Sequence, residues 1–223
     1  MAQILTFTNA KGGCGKTTVA LNLAICFARA GYRTLAIDLD QQGNLSAGLG
    51  VDLNQLNSTA HRLLISEVLN IHRYLIEVRP QLKLLPNSID IEADDLLEAK
   101  KVNREVLLCR QLKPIQSEFD VILIDTPPAM RAATVNALVV ADSVIVPIDS
   151  SSFALLGMTQ LLKTIAAISA AVQLYMQAEA QAAIPMEPAR APQVPAPVSS
   201  LWALSGRQAA METRRFWQMR LCR

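Results

Sequence analysis

Two lysines stand five residues apart in a glycine-rich stretch near the start of the chain, AKGGCGKTT at residues 10–18. Aligned on Gly15-Lys16-Thr17, the stretch matches the phosphate-binding pattern G-x-x-x-x-G-K-[ST], except that Ala10 replaces the first glycine. In such a loop, backbone N–H groups and the N-terminus of the following helix bind anions, which does not require a glycine at Ala10. The pattern predicts that Lys16 contacts the β- and γ-phosphates of a nucleotide and that the Thr17 hydroxyl is a Mg²⁺ ligand.

Acidic side chains end two other apolar segments. Asp125 follows the apolar run within DVILIDTPP, residues 120–128, and Asp38 and Asp40 close the segment AIDLD. A carboxylate at the C-terminal end of a parallel strand points into the crevice where α/β sheets bind ligands, so we expect Asp125 to hold the water shell of Mg²⁺. If the second strand continues to Asp40, its two aspartates share one face, and one orients an attacking water while the other supports the metal. The alternative is that all three are ordinary acidic residues at strand ends.

The spacing of apolar residues around these motifs predicts an α/β fold built on a parallel sheet. A strand at 3–8, a helix from Thr17 to a stop at Gly31, and the following strand RTLAIDLD form a β-α-β unit. The run at 120–125 is typical of a central strand buried on both faces. The further predicted elements are short helices near 46–49 and 60–69, a strand at 82–85, helices at 92–112 and 132–141, a strand at 143–148, and a long Ala/Leu-rich helix from Phe153 to about 182.

Composition and charge argue against several classes of protein. Of the 223 residues, 51% are apolar and 4% are aromatic, and no apolar run approaches the roughly 18 residues needed to cross a bilayer. The N-terminus MAQILTF has no basic region, so we predict no signal peptide. The four cysteines show no C-x-x-C spacing, which argues against a disulfide framework or a zinc site. These features together predict a cytoplasmic protein.

The sequence changes character after residue 183. Residues 184–198 contain five prolines, which favours an extended linker. Residues 184–223 carry six arginines and two glutamates, so the chain's net charge of +2 hides a basic C-terminal part and gives no whole-protein signal for nucleic acid. The apolar residues of 199–223 scatter around a helical wheel, and we expect a disordered basic tail rather than an amphipathic helix. The predicted organisation is one domain at 1–183, the linker, and the tail.

The segments KGGCGKTT, AIDLDQQGN and DVILIDTPP, in this order and spacing, resemble the deviant Walker A ATPases of the ParA/Soj/MinD superfamily. The Gln-Gly-Asn that follows the acidic pair favours the ParA (Soj) partition ATPases over MinD. The resemblance covers about residues 3–168. It implies an α/β fold of the P-loop NTPase type, with a mostly parallel sheet flanked by helices, that binds ATP and Mg²⁺.

The resemblance implies roles for the residues of the loop. Lys11 matches the signature lysine, which in the family reaches across an ATP-bound dimer to the partner's nucleotide. Lys16 matches the phosphate lysine and Thr17 the Mg²⁺ ligand. The implied nucleotide-binding residues are Lys11, Gly12, Gly13, Cys14, Gly15, Lys16, Thr17 and Thr18.

The resemblance also separates the roles of the three aspartates. Asp40 matches the carboxylate linked to activation of the attacking water, Asp38 a supporting acidic residue, and Asp125 the Walker B aspartate. The implied catalytic residues are Lys11, Lys16 and Asp40. The implied metal ligands are Thr17, Asp38 and Asp125, the aspartates directly or through water.

The implied function is ATP hydrolysis in a nucleotide-sandwiched homodimer that drives plasmid or chromosome partition, with a ParB-like activator and non-specific DNA as partners. The protein would be cytoplasmic, associated with the nucleoid if it binds DNA, and a membrane is not an expected partner. Two alternatives stay open: a MinD-like positioning ATPase at a membrane, and a non-catalytic remnant of the family.

Three features depart from the family pattern or carry no chemistry of their own. Gln41 stands where the family typically has proline, which loosens the segment after the acidic pair. After about residue 170 the family's further strands and helices, including the usual DNA-binding region, are not recognisable, so a truncated or frameshifted C-terminus is a further expectation. His61 and His72 lie in a moderately polar helical region, and we expect both on the surface.

Overall fold

A computed structural model describes residues 2–66, 70–100, 104–148, 162–168, 170–171 and 174. The strands are β1 (Gln3–Phe7), β2 (Thr34–Asp38), β3 (Ile76–Arg79), β4 (Leu82–Leu85), β5 (Val121–Asp125) and β6 (Ser143–Ile145). The α-helices are α1 (Lys16–Arg29), α2 (Asn44–Gly48), α3 (Ala60–Ile65), α4 (Ile91–Ala99), α5 (Leu107–Leu112) and α6 (Ala132–Val140).

The six strands form one sheet in the order β3-β4-β2-β5-β1-β6. All neighbouring pairs are parallel except the β3–β4 hairpin. The register pairs Asp38 at the end of β2 and Phe7 at the end of β1 with Asp125 at the end of β5. The mostly parallel sheet flanked by helices, predicted from the sequence, is confirmed, and the ends of its three central strands meet at one edge.

Both faces of the central strands are covered, which explains their continuous apolar runs. Helix α1 packs on one face, where its small residues Ala20, Ala24 and Ala28 recur every four positions and bring the helix close to the sheet. Helices α3 to α6 pack on the other face. Alternate residues of one strand therefore belong to different layers of the core: Ile122 and Ile124 face α3 to α6, and Leu123 faces α1.

Helix α1 ends at the predicted glycine. The N–H of Gly31 donates to the carbonyl of Ala28, and the N–H of Tyr32 donates to that of Phe27, the two bonds of a Schellman motif. The Phe27 and Tyr32 rings meet edge to face at 5.8 Å and close the motif with an apolar contact. This end fixes where the chain turns back into β2.

The helix predicted at 92–112 is wrong, because the chain forms two shorter helices there. Helix α4 ends at Ala99, and Lys100 adopts an extended backbone. Helix α5 starts at Leu107, and its first turn is capped from another helix: Asn136 Oδ1 accepts the N–H of Leu108. Two other predicted elements end early: α3 ends at Ile65 instead of 69, and β6 ends at Ile145 instead of 148. Strand β3 has no counterpart among the predicted elements.

The C-terminal part of the chain is described only in short pieces. Residues 162–168 and 170–171 are helical, and they lie within the helix predicted from Phe153 to 182. The predicted linker at 184–198 and tail at 199–223 lie outside the described residues. In the part of the chain that the structure describes, no helix is long and apolar enough to cross a membrane.

Candidate functional site: a phosphate-binding loop facing three aspartates

The loop between β1 and α1 lies at the edge where the central strands end. Gly13 and Gly15 have positive φ angles of 73° and 89°, which glycine adopts without the steric cost that a Cβ would bring. Helix α1 begins directly after Gly15, so its first backbone N–H groups point toward the loop. A Cβ built on Gly12, Gly13 or Gly15 would meet no described atom within 4 Å, so the space in front of the loop is open. An anion can approach the backbone there.

The two lysines of the loop have different surroundings. Lys16 is buried, with 6% of its surface exposed, and its Nζ donates to the carbonyl of Lys11 at 3.3 Å, so the ammonium lies over the loop. Lys11 itself is exposed. Asn9 holds the start of the loop: its Oδ1 accepts the N–H of Lys11, and its Nδ2 donates to the carbonyl of Pro147 beyond β6.

The remaining residues of the loop have separate contacts. Cys14 Sγ contacts the carbonyl of Lys11 at 3.2 Å. Thr18 is exposed, and its carbonyl accepts a hydrogen bond from the side chain of Asn22 one turn later. Neither side chain is hydrogen-bonded to the aspartates in the described residues, whereas the Thr17 hydroxyl is bonded to Asp125.

Thr17 and Asp125 join the loop to β5. The Thr17 hydroxyl donates to Asp125 Oδ2 at 2.6 Å. The other carboxylate oxygen, Oδ1, is buried and has no hydrogen-bond partner among the described residues. Burial raises the pKa of Asp125 to about 6, and the neighbouring carboxylate of Asp40 adds to the shift. A buried oxygen without a partner beside a hydroxyl is a donor set that suits Mg²⁺, a cation that prefers oxygen ligands.

Asp38 is engaged by the protein on both oxygens. Its Oδ1 accepts the N–H of Asp40, and its Oδ2 accepts both the N–H and the hydroxyl of Ser46, at 2.9 and 2.7 Å. Burial raises the pKa of Asp38 to about 7, while the donors of Ser46 favour its charged form. Asp38 thus ties the end of β2 to α2. A role as a metal ligand stays a prediction.

Asp40 lies beyond the end of β2, which stops at Asp38, so the condition for the two aspartates to share a strand face is not met. Its Oδ1 accepts the N–H of Gln42, and its carbonyl accepts the N–H of Gly43 in a tight turn. Asp40 and Gln41 line a cavity of about 220 Å³ that also reaches Pro127, Pro128 and the helices behind the sheet. Asp40 is a buried residue, with 8% of its surface exposed, against 0% for Asp38 and Asp125.

Sequence reasoning missed two buried residues beside these aspartates: Ser46, which bonds Asp38, and His61, which contacts the backbone of Leu39. Ser46 carried no recognisable signal, because its contact with Asp38 depends on how α2 turns back toward β2. His61 was expected on the surface, which is wrong: it is 3% exposed, and its Nε2 lies 3.0 Å from the carbonyl of Leu39. The helical spacing of Ala60, His61 and Leu64 on the buried side of α3 was the signal available. His72 is exposed, as expected.

The arrangement combines an open glycine-rich loop at a helix N-terminus, a hydroxyl and a carboxylate for a divalent cation, and the further carboxylate of Asp40. Within the described ranges, no cluster of three or more His, Cys, Asp or Glu side chains forms a metal site by itself. A cation at Thr17 and Asp125 would therefore need further oxygens from water or from the phosphates, as Mg²⁺ in nucleotide sites commonly does.

Comparison with known proteins places this chain in a family. A family model described as an AAA domain matches residues 2–178. The sporulation initiation inhibitor protein Soj of Bacillus subtilis is 35% identical over 165 residues, which are 74% of this chain and 65% of Soj. The chromosome partitioning protein ParA of Myxococcus xanthus is 37% identical over 166 residues, 74% of this chain and 58% of ParA. The chain thus spans less than two thirds of the length of these relatives.

Solved structures show the same similarity. Cobyrinic acid a,c-diamide synthase from Mycobacterium smegmatis, with a bound ATP analogue and magnesium, is 34% identical with a TM-score of 0.68, over 75% of this chain and 68% of that one. A plasmid partition protein from Borrelia burgdorferi is 26% identical with a TM-score of 0.68, over 76% and 75% of the two chains. With the phosphate-binding loop, the Thr17–Asp125 contact and the parallel sheet, these matches show that the chain belongs to the ParA/MinD family of P-loop ATPases.

Proposed function

We propose that this chain binds ATP with Mg²⁺ and hydrolyses it as a ParA-type partition ATPase that acts as a nucleotide-sandwiched dimer. The observation that carries the proposal is the contact between Thr17 and Asp125, with the buried Oδ1 of Asp125 beside it. The ATP analogue and magnesium bound to the similar mycobacterial protein support the same ligands here.

The residues divide the binding task between phosphate and metal. Lys16 places a positive charge over the loop, and the first N–H groups of α1, which a helix leaves without internal partners, are available to the phosphates. Thr17 and Asp125 supply two oxygens for Mg²⁺, which would neutralise charge on the phosphates. Asp38 stabilises the segment that follows β2 through its hydrogen bonds with Asp40 and Ser46. In this proposal it would contact the metal only through water.

Hydrolysis requires a water aligned with the γ-phosphate and groups that stabilise the charge of the transition state. In this proposal Asp40 aligns the water, because it is the one of the three aspartates that keeps some exposed surface, 8% against 0% for Asp38 and Asp125. Lys11 has the position to stabilise the charge, because it is exposed at the outer rim of the loop, where a second subunit can approach. If Lys11 contacts the nucleotide bound to the second subunit, hydrolysis depends on dimer formation.

The biological setting follows from the relatives and is part of the proposal. The partition proteins among them suggest a cargo of plasmid or chromosomal DNA, a ParB-like activator, and a cytoplasmic protein that associates with the nucleoid when it binds DNA. In this organisation the ATPase domain occupies residues 1–183, followed by the proline-rich linker at 184–198 and the basic tail at 199–223.

The test is ATP binding by the full chain, measured by isothermal titration calorimetry with Mg²⁺ and with EDTA. We expect Mg²⁺ to strengthen ATP binding by the wild type, and Thr17→Val to remove most of that gain. Thr34→Val is the matched control, because its hydroxyl bonds the carbonyl of Tyr32 at the opposite end of β2. Hydrolysis is measured in parallel, and Asp40→Asn should bind Mg-ATP without hydrolysing it.

Two results would count against the proposal. A wild type that does not bind ATP in the presence of Mg²⁺ would reject nucleotide binding altogether. A wild type that binds Mg-ATP and does not hydrolyse it, alone or with DNA and an activator, would favour the non-catalytic remnant.

A further inference from the structure

His61 contacts the backbone between Asp38 and Asp40 from the face of the sheet that carries α3 to α6. It lies on α3, and its Nε2 is 3.0 Å from the carbonyl oxygen of Leu39, the residue between Asp38 and Asp40. A carbonyl oxygen only accepts hydrogen bonds, so Nε2 carries the proton and donates it. A long-range hydrogen bond from a buried histidine therefore ends on the backbone next to the proposed catalytic carboxylate.

Asp94 of α4 orients this histidine. Its Oδ1 lies 2.5 Å from His61 Nδ1, and the two side chains are 17% and 4% exposed. No hydrogen bond joins these two atoms, and the pair attracts electrostatically when Nδ1 carries a proton as well as Nε2, because a ring lone pair and a carboxylate oxygen at this distance would repel. The carboxylate holds the Nδ1 side of the ring toward α4, which leaves Nε2 directed at Leu39.

The bond from His61 completes the anchoring of one peptide unit. The peptide that joins Leu39 to Asp40 has its carbonyl bonded to His61 and its N–H bonded to Asp38 Oδ1. One residue earlier, the N–H of Leu39 donates to the carbonyl of Asp125 at 2.9 Å. With both polar groups of this peptide bonded, its plane cannot rotate without breaking a buried hydrogen bond, which fixes where the Asp40 backbone lies and restricts the positions open to its side chain.

The same residues surround one cavity. Asp40, His61 and Asp94 all line the space of about 220 Å³ behind the strand ends, together with Pro127 and Pro128 that follow Asp125. Because this cavity is open, the backbone of Leu39 and Asp40 has room to shift into it if the hydrogen bond to His61 is lost. Among the described residues, the N–H of Gln42 is the one hydrogen-bond donor to the Asp40 carboxylate, so the placement of the carboxylate depends on the backbone that carries it.

We propose, taking ATP hydrolysis by this chain as given, that His61 oriented by Asp94 is a positioning residue that fixes the Leu39–Asp40 peptide and thereby holds the Asp40 carboxylate for hydrolysis. Neither residue contacts the phosphate-binding loop or the Thr17–Asp125 pair in the described hydrogen bonds. Their loss should therefore act on the chemical step and leave nucleotide binding intact, because small displacements of a catalytic group lower the rate steeply.

Four variants of the full chain test this role. His61→Leu removes the donor and keeps an apolar side chain in the buried site. His61→Gln restores an N–H donor at a similar distance from the backbone, and Asp94→Asn keeps the histidine but removes the charge that orients it. His72→Leu is the matched control, because His72 is exposed and its ring contacts Glu118 on the surface.

We expect His61→Leu to lower kcat by about 10- to 100-fold, with the Kd for Mg-ATP within about twofold of the wild type. Asp94→Asn should give a smaller loss, His61→Gln should recover much of the rate, and His72→Leu should match the wild type. Amide hydrogen exchange followed by NMR gives a readout that does not need turnover. The Asp40 N–H should exchange faster in His61→Leu than in His72→Leu.

Several outcomes would overturn the inference. A folded His61→Leu, shown by an unchanged near-UV circular dichroism spectrum, with wild-type kcat and wild-type exchange at Asp40 would contradict it. Equal losses in kcat and in Mg-ATP affinity would show a general structural role instead. If His61→Leu does not fold, Asp94→Asn decides the question by the same two readouts. A wild type without ATP hydrolysis would instead reject the proposed function on which the inference rests.

Discussion

Asp38 and Asp125 stand side by side at the ends of adjacent parallel strands, and both carboxylates are completely buried. They differ in their partners: three donors from Asp40 and Ser46 bond Asp38, whereas Asp125 accepts the Thr17 hydroxyl, has the Thr126 N–H nearby, and keeps Oδ1 without a hydrogen bond of good geometry among the described residues. Two buried carboxylates on adjacent strands lower the stability of the metal-free protein, because burial and mutual repulsion both disfavour their charged forms. A cation bound at Asp125 would offset this loss of stability.

We predict that Asp125→Asn stabilises the metal-free protein at alkaline pH. Burial raises the pKa of Asp125 from 3.8 to about 6, because the folded protein favours the protonated carboxyl. The contribution of this group to the free energy of unfolding is therefore fully present below pH 3.8 and is lost as the pH rises through 6. Above pH 6 the buried charge costs at most about 3 kcal/mol, which the amide avoids. Thermal unfolding in EDTA should show a higher Tm for Asp125→Asn than for the wild type at pH 8, and a smaller difference at pH 5.

Asp120→Asn is the control of opposite sign. Hydrogen bonds from the Arg33 guanidinium and N–H lower the pKa of Asp120 to about 2, so its contribution is present above pH 3.8 and is lost as the pH falls through 2. Asp120→Asn should therefore lower the Tm at pH 8. An Asp125→Asn protein less stable than the wild type at pH 8 in EDTA would show that the charge at Asp125 is compensated within the protein.

Gly43 and Gly50 flank α2 and make a matched pair for testing the turn after Asp40. Both have positive φ angles, 63° and 92°, so alanine at either site costs about 1 kcal/mol. A Cβ on Gly43 would also lie 2.6 Å from the carbonyl oxygen of Asn87, whereas a Cβ on Gly50 would meet no described atom within 4 Å. In urea denaturation, Gly43→Ala should therefore lose at least about 1 kcal/mol more than Gly50→Ala. Equal losses would mean that the Asn87 segment yields freely.

Asn136 links α6 to the start of α5. Its side chain accepts the N–H of Leu108 and donates to the carbonyls of Arg104 and Ala132, and the residue is wholly buried. Asn136→Ala leaves a buried N–H and two carbonyls without this partner, so we expect a loss of about 2–3 kcal/mol in the free energy of unfolding.

Asn22→Ala provides the comparison for Asn136→Ala, since Asn22 is exposed on α1 and its side chain donates to the carbonyl of Thr18 one turn earlier. Its effect on the free energy of unfolding should stay within about 0.5 kcal/mol. Similar values for the two variants would contradict the capping role of Asn136.

The sequence predicted the parts of this site that depend on local pattern. The glycines and lysines of the loop, the end of α1 at Gly31 and the strand leading to Asp125 follow from residue type and spacing over a few positions. The parallel sheet followed from the β-α-β pattern. These features need no knowledge of distant partners.

The parts that were missed depend on contacts between distant residues. Ser46 reaches Asp38, and His61 reaches Leu39, only once the helices have packed on the sheet. The predicted helix at 92–112 is divided because Asn136, far along the chain, caps the second half. In each case a tertiary hydrogen bond decides the local structure, and the helical periodicity of that segment alone does not reveal it.

The central claim is that Lys11, exposed at the rim of the loop, serves a second subunit while Lys16 serves the chain's own nucleotide. Sedimentation velocity of the full chain with Mg-ATP tests it most directly, with Lys113→Ala as the control at another exposed lysine. We predict a dimer for the wild type, for Lys113→Ala and for Asp40→Ala, which should not hydrolyse ATP, and a monomer that still binds Mg-ATP for Lys11→Ala. A wild type that stays monomeric at saturating Mg-ATP, or a Lys11→Ala protein that dimerises as the wild type does, would contradict the claim.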